Sequence, residues 1–155
     1  DTAQRSSCRN EHTGSVIVKN KRVISSGYNG RAPQFKKNCL EEGCEKERKK
    51  VVYHEKGKNV CLGSHAETNA LLQQTAESKI GSVMYTVVSP CYSCAKQIAA
   101  AQISKVVYIK KYKEEFDAVQ NYFNRTGINF SQFLPKKENL SPNEIKLLEY
   151  CLDEK

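Results

Sequence analysis

Two short clusters in this 155-residue chain have the residue types and spacing to hold a metal ion and move protons. One is His65-Ala66-Glu67. The other is Pro90-Cys91-Tyr92-Ser93-Cys94, and the 25 residues at positions 66–90 separate His65 from Cys91. An imidazole and two thiolates are zinc ligands, and three protein ligands leave one tetrahedral position open to solvent. A +2 ion with two thiolates and a neutral water is uncharged overall, which leaves the ion able to acidify that water toward neutral pH. On a regular helix, residues two apart point to different sides. At a helix tip, His65 and Glu67 can both flank an ion lying off the end, with Glu67 exchanging protons rather than ligating. Cys61, four residues before His65, offers a rival: a closed set of one His and three Cys. That rival leaves Glu67 without a use, and a Cys91–Cys94 disulfide would leave His65 without one.

An open site of this kind needs both clusters at element ends. Ser64 with Glu67 three positions later is a capping-box pattern, predicting a helix from Ser64 to about Ala76. The run 82–89 (SVMYTVVS) reads as a strand buried on both faces. Pro90 stops it, and an Ala-rich helix follows over 91–102. Two helix starts then carry the ligands, and the helix dipole favours thiolate at Cys91 and Cys94. With the strand at 105–110 (KVVYIK), this is a βαβ unit whose strands are expected to be parallel.

Residues 15–30 read as two strands joined at Lys19–Arg22. Further elements are a helix over 113–126, a strand over 127–134, and a terminal helix over 141–154 capped by Ser141 with Pro142 at its first position. Residues 31–63 lack periodicity and form a cysteine-bearing excursion, with a short helix near Glu41–Lys50. The sum is one α/β domain over 1–155, in three layers around a mixed sheet of about five strands.

Composition narrows the setting. Lys plus Arg number 25 against 17 Asp plus Glu, a net charge of +8 that favours anionic partners. The basic residues are scattered, so no nucleic-acid stripe stands out and no stable nucleic-acid partner is expected. No stretch reaches the roughly 18 apolar residues of a membrane span, and the first residues lack the apolar segment of a secretory signal. Seven cysteines, an odd number, fit metal binding in a reducing cytoplasmic compartment better than a closed disulfide set. Cys151, in the terminal helix, reads as a buried small hydrophobe.

H-x-E followed by P-C-x-x-C is the pattern of zinc-dependent nucleobase deaminases. HAETNALL and SPCYSCAKQIAAAQISKVVY resemble the deoxycytidylate (dCMP) deaminases of the cytidine deaminase superfamily. TGSVIVKNKRVISSGYNG is similar to their amino-terminal strand pair, although Thr13-Gly14-Ser15 stands where the family usually has V-G-A. The resemblance runs from about Cys8 to Tyr112, with a variable stretch between Cys44 and Cys61.

The resemblance implies a cytidine deaminase-like fold, with catalytic zinc on His65, Cys91 and Cys94 and Glu67 as proton shuttle. It implies that Asn29 hydrogen-bonds the sugar, that Ser89 and the Gly14–Ser15 backbone meet the base, and that Tyr112 lies near the nucleotide. Spacing alone equally allows Asn29 as a left-handed turn residue and Tyr112 as half-buried packing. A second, structural zinc is implied at Cys8, Cys39 and Cys61, with Cys44 or His54 as fourth ligand. Gly27, Tyr28 and Gly30 are implied as an effector segment for dCTP or dTTP, and a homo-oligomer, often a hexamer, is implied as the assembly. Arg31, Lys110 and Lys111 are candidates for the substrate phosphate. The expected reaction is dCMP to dUMP plus ammonia, which supplies precursor for dTMP synthesis. The rivals are action on another cytosine nucleoside or nucleotide, action on tRNA adenosine, and a non-catalytic zinc module that binds nucleic acid.

Overall fold

In chain order, the computed structural model contains β1 (Gly14–Lys19), β2 (Arg22–Tyr28), β3 (Gly30–Arg31), α1 (Cys39–Glu42), α2 (Glu45–Arg48), β4 (Gly63–Ser64) and α3 (Ala66–Leu72). Then come α4 (Ala76–Lys79), β5 (Val83–Val88), α5 (Tyr92–Ala100), β6 (Lys105–Lys110), α6 (Phe116–Thr126), β7 (Asn129–Gln132) and α7 (Pro142–Leu152). The described residues are 1–51 and 60–152, without the side chains of Leu147, Tyr150 and Cys151. His54 and the side chain of Cys151 therefore lie outside the description.

Five strands form a mixed sheet in the order β2-β1-β5-β6-β7. β1 runs antiparallel to both β2 and β5, whereas β5, β6 and β7 run parallel. The β1–β2 hairpin turns on Asn20 and Lys21, both at positive φ, which suits the twist of a two-residue hairpin. Period-2 alternation sorts the strands onto two faces. Ile17, Met84 and Val106 point to one face and pack with Ala70, Leu71, Ala95, Ile98, Val119 and Phe123 of α3, α5 and α6. The opposite face carries Val16, Tyr85, Val107 and Ile109, and α7 lies over it through Leu148, with an apolar cavity of about 320 Å³ between. The expected three-layer mixed sheet is borne out, as is the parallel β5–α5–β6 unit.

Several boundaries differ from expectation. Tyr85 is 44% exposed, so the strand over 82–89 is not buried on both faces. Ser64 does not cap α3, because it is held extended in β4, paired with Gly30 of β3. The N-cap is His65, no side chain caps it, and Glu67 turns inward instead. The helix ends at Leu72, and residues to Lys79 form a separate turn, α4. The single helix read near 41–50 is two short ones, parted at Gly43, whose φ of 97° is open to glycine. At the carboxyl end, Ser141 and Glu144 do form the reciprocal cap: Ser141 N–H donates to Glu144 Oε2 at 2.8 Å and Glu144 N–H to Ser141 Oγ at 3.4 Å.

The β2–α3 contact fixes the site's first helix. A Cβ on Gly27 would sit 2.3 Å from Ala70 N and 2.4 Å from Ala66 O. The strand and helix backbones therefore touch directly, and only glycine fits between them.

Candidate active site

The two clusters meet at the carboxyl ends of the parallel strands, the edge where open α/β sheets bind ligands. His65 caps α3 and Cys91 caps α5, both in extended backbone. Because His65 precedes the helix proper, the side-to-side divergence of helical residues two apart does not apply to it and Glu67. Cys91 Sγ accepts from Cys94 N–H at 3.5 Å, a sulfur cap of α5's first turn. Tyr92 N–H, another unpaired donor of that turn, is satisfied by Glu115 Oε2 at 2.6 Å. Glu115 is also the N-cap residue of α6, so one residue ties the two helix starts together.

His65 Nδ1 lies 3.5 Å from Cys91 Sγ and 3.4 Å from Cys94 Sγ. All three donor atoms fall within 4.8 Å of one another. Tetrahedral bonds of about 2.3 Å to sulfur and 2.0–2.1 Å to nitrogen require an N···S edge of roughly 3.5 Å, so the spacing fits zinc. The electrostatics fit as well. A hydrogen bond from the Cys94 thiol, with help from His65, holds Cys91 down to about 4. Its bond to Cys91, then burial, pushes Cys94 up, and the Cys91 sulfur raises His65. Two thiols this close resist ionising together, a cost that a +2 ion between them would offset. Cys61 is exposed and does not join the set, so the closed one-His, three-Cys arrangement is absent.

Glu67 is 7% exposed. Burial pushes its carboxyl up to about 7, and it lies within reach of the Cys94 sulfur. A carboxyl poised near neutrality beside a metal set is suited to both accepting and returning protons.

Other expected residues fare differently. Asn29 is not left-handed. Its side chain is engaged by the backbone of the preceding loop: Thr13 N–H donates to Oδ1 at 2.9 Å, and Nδ2 donates to Glu11 O at 2.8 Å. Ser89 is buried, and its Oγ accepts from Tyr112 N–H at 2.7 Å, which joins the ends of β5 and β6. Gly27 serves packing, Tyr28 lies under Arg5 at 5.4 Å from its ring centre, and Gly30 pairs with Ser64. Lys111 stands over the Phe116 ring at 4.7 Å.

Arg31 corrects one expectation. Its side chain is 2% exposed and paired with Glu42. It also donates to the carbonyls of Lys37 and Gly43, each at 3.0 Å. Arg31 fastens the insert and is not free to meet a phosphate. In that insert Cys39 and Cys44 are buried; burial pushes the Cys39 thiol up, Arg31 opposes this, and Cys8 and Cys44 add smaller repulsions. Among the described residues, Cys8, Cys39, Cys44 and Cys61 do not gather any three donors within 4.8 Å.

The sequence reading missed Glu115, Thr68 and Gln97. Thr68 Oγ lies 3.7 Å from Cys94 Sγ and 3.0 Å from Gln97 Oε1. Each is visible only through contacts between separate elements.

Residues 1–110 match the family described as the cytidine and deoxycytidylate deaminase zinc-binding region. Over 113 residues the chain is 40% identical to the deoxycytidylate deaminase of Mycobacterium phage D29, covering 70% of this chain and 86% of that one. It is 32% identical over 140 residues to the deoxycytidylate deaminase of Schizosaccharomyces pombe, covering 89% of this chain and 42% of that longer protein. The dCMP deaminase of cyanophage S-TIM5, solved with dCMP and dUMP, superposes with a TM-score of 0.64 at 29% identity, over 84% of this chain and 88% of that one. The chain belongs to the zinc-binding family of cytidine and deoxycytidylate deaminases.

Proposed function

We propose that this chain hydrolyses dCMP to dUMP and ammonia. The observation that carries the reading is the buried Glu67 carboxyl beside three donors at zinc spacing. Likeness to deoxycytidylate deaminases spanning 86% of the phage D29 protein supports the substrate. His65, Cys91 and Cys94 would hold zinc, which supplies a Lewis acid able to make water nucleophilic near neutral pH. Glu67 takes a proton from the attacking water as its oxygen bonds to C4 of cytosine. Glu67 returns that proton to ring N3. It then carries the water's second proton to the exocyclic nitrogen, the C4–N bond breaks, and ammonia leaves. Asn29 and Tyr112 would hold the sugar side, and Ser89 with the Gly14–Ser15 backbone the base. Lys110 and Lys111 remain the phosphate candidates. Glu67→Gln is expected to keep zinc and lose about 10²–10⁴-fold in rate. Comparable turnover of dCMP, cytidine and a tRNA stem-loop would reject the nucleotide assignment. Unaltered deamination by Glu67→Gln would reject the mechanism.

The same reading extends to a single domain over 1–155 acting in the cytoplasm as a homo-oligomer, hexameric in the fullest form. It includes regulation by dCTP and dTTP through Gly27, Tyr28 and Gly30, and a structural zinc on Cys8, Cys39 and Cys61 with Cys44 or His54. No helix among the described residues is long and apolar enough to cross a membrane. Metal analysis should return two zinc ions per chain and one in Cys39→Ala. Assays with and without each triphosphate, and mass measured in solution, test the rest.

A further inference from the structure

Behind the metal set, α3 and α5 are joined by a polar bridge. Thr68 lies three residues past His65, and Gln97 three residues past Cys94, so each stands one turn behind a ligand on its own helix. The Thr68 hydroxyl is 3.7 Å from Cys94 Sγ and 3.0 Å from the Gln97 amide oxygen. Cys94 is buried, Thr68 half-buried, and Gln97 exposed.

A threonine hydroxyl has a single proton to give. In the orientation with Oε1 facing Thr68, that proton goes to Gln97, and the hydroxyl turns lone pairs toward Cys94 Sγ. Such an arrangement suits a sulfur that carries its own proton. It opposes a thiolate, whose charge seeks a donor. Rotating the Gln97 amide by 180° exchanges its oxygen and nitrogen with little change in shape. Nε2 then donates to Thr68 Oγ1, and the hydroxyl proton turns to Cys94 Sγ. The released Oε1 meets solvent, where Gln97 is exposed, so no polar group is stranded.

We propose that Gln97 and Thr68 form a donor relay onto the Cys94 thiolate when the metal is bound, with Thr68 as a positioning residue for that ligand. The proposal rests on the zinc site described above. The hydrogen bond draws electron density from the sulfur and fixes its direction. Partners of this kind typically contribute 10–100-fold to metal affinity or activity.

Cobalt(II) substitution separates the relay from general packing, because the thiolate-to-cobalt charge-transfer band reports electron density on sulfur. Titrating the metal-free protein with cobalt should give that band in the wild type. In Thr68→Val, which keeps the shape and removes the hydroxyl, the band should move to longer wavelength. Zinc affinity measured by chelator competition should fall about 10-fold. Thr68→Ser should restore both. Gln97→Glu leaves Thr68 in place but presents only acceptors, pulling the hydroxyl proton away from sulfur, and should reproduce the Thr68→Val band shift. If the wild type shows the band and neither Thr68→Val nor Gln97→Glu moves it, the relay is wrong. If the wild type shows no thiolate band, the metal site itself is wrong, and the relay falls with it.

Discussion

Gly27→Ala puts the close β2–α3 backbone approach under test. The new Cβ would lie 2.3 Å from Ala70 N and 2.4 Å from Ala66 O, both backbone atoms of α3. Neither can swing aside as a side chain does. Regaining ordinary contact at 3.4 Å requires β2 and α3 to separate by about 1.1 Å. Overpacking of this sort costs about 1–3 kcal/mol, or roughly 3–10 °C in Tm for a chain of this length. The rate consequence is larger. Ala66 lies between His65 and Glu67, so the displacement falls on the residues proposed to hold the metal and move the proton. A misplacement near 1 Å costs about 10²-fold in turnover. Gly63→Ala is the matched control: its Cβ would meet Gly30 backbone no closer than 3.6 Å, and it should change Tm and rate little. The measurements are thermal unfolding and dCMP turnover at saturating substrate, with zinc content checked in each variant. A Gly27→Ala protein with wild-type Tm and turnover would refute direct β2–α3 backbone contact.

Other perturbations test separate parts of the argument. Glu115→Ala removes the acceptor for Tyr92 N–H and should cost about 0.5–2 kcal/mol, while Glu115→Gln, which keeps an acceptor oxygen, should recover most of it in thermal unfolding. Phe123→Ala empties the centre of the α6–sheet core and should cost about 3–5 kcal/mol; a change below about 1 kcal/mol in denaturant unfolding would displace Phe123 from that core. Arg31 holds the Glu42 carboxyl below its ordinary range. The folded-state value is thus lower than the unfolded one, so the pair's stabilisation is present above the ordinary carboxylate range and lost as pH falls through the lowered value. The Tm difference between wild type and Glu42→Gln should shrink as pH is taken from about 6 toward 3; a difference that grows would reverse the assignment.

The metal set was legible because its chemistry dictates residue types, and because each half occupies a few consecutive positions at a helix start. His65-Ala66-Glu67 and Cys91-x-x-Cys94 needed only the 3.6-residue turn and one strand between them to be placed together. The sheet was legible for a similar reason, since apolar alternation in β5 and β6 is local. Errors arose where a remote partner outweighed a local pattern. Ser64 and Glu67 satisfy the capping-box spelling, yet pairing with Gly30 holds Ser64 extended, and burial claims Glu67 for the site. A two-residue ladder such as β3–β4 is too short to show any period. Arg31 looked free to meet a phosphate because nothing nearby in sequence marks Glu42 as its partner. Thr68 and Gln97 are 29 residues apart, and Tyr92 and Glu115 are 23 apart. Their meetings depend on how closely α3 approaches α5, and α5 approaches α6. The seating of α3 and α5 on the sheet is set by small residues packed beneath them, Gly27 against Ala66 and Ala70 for α3 and the buried Ala95 for α5. The ligands are therefore written in residue types, whereas the groups that tune them are written in interhelical distance. A relative that keeps every ligand but enlarges one of these small residues should keep the metal and lose the tuning.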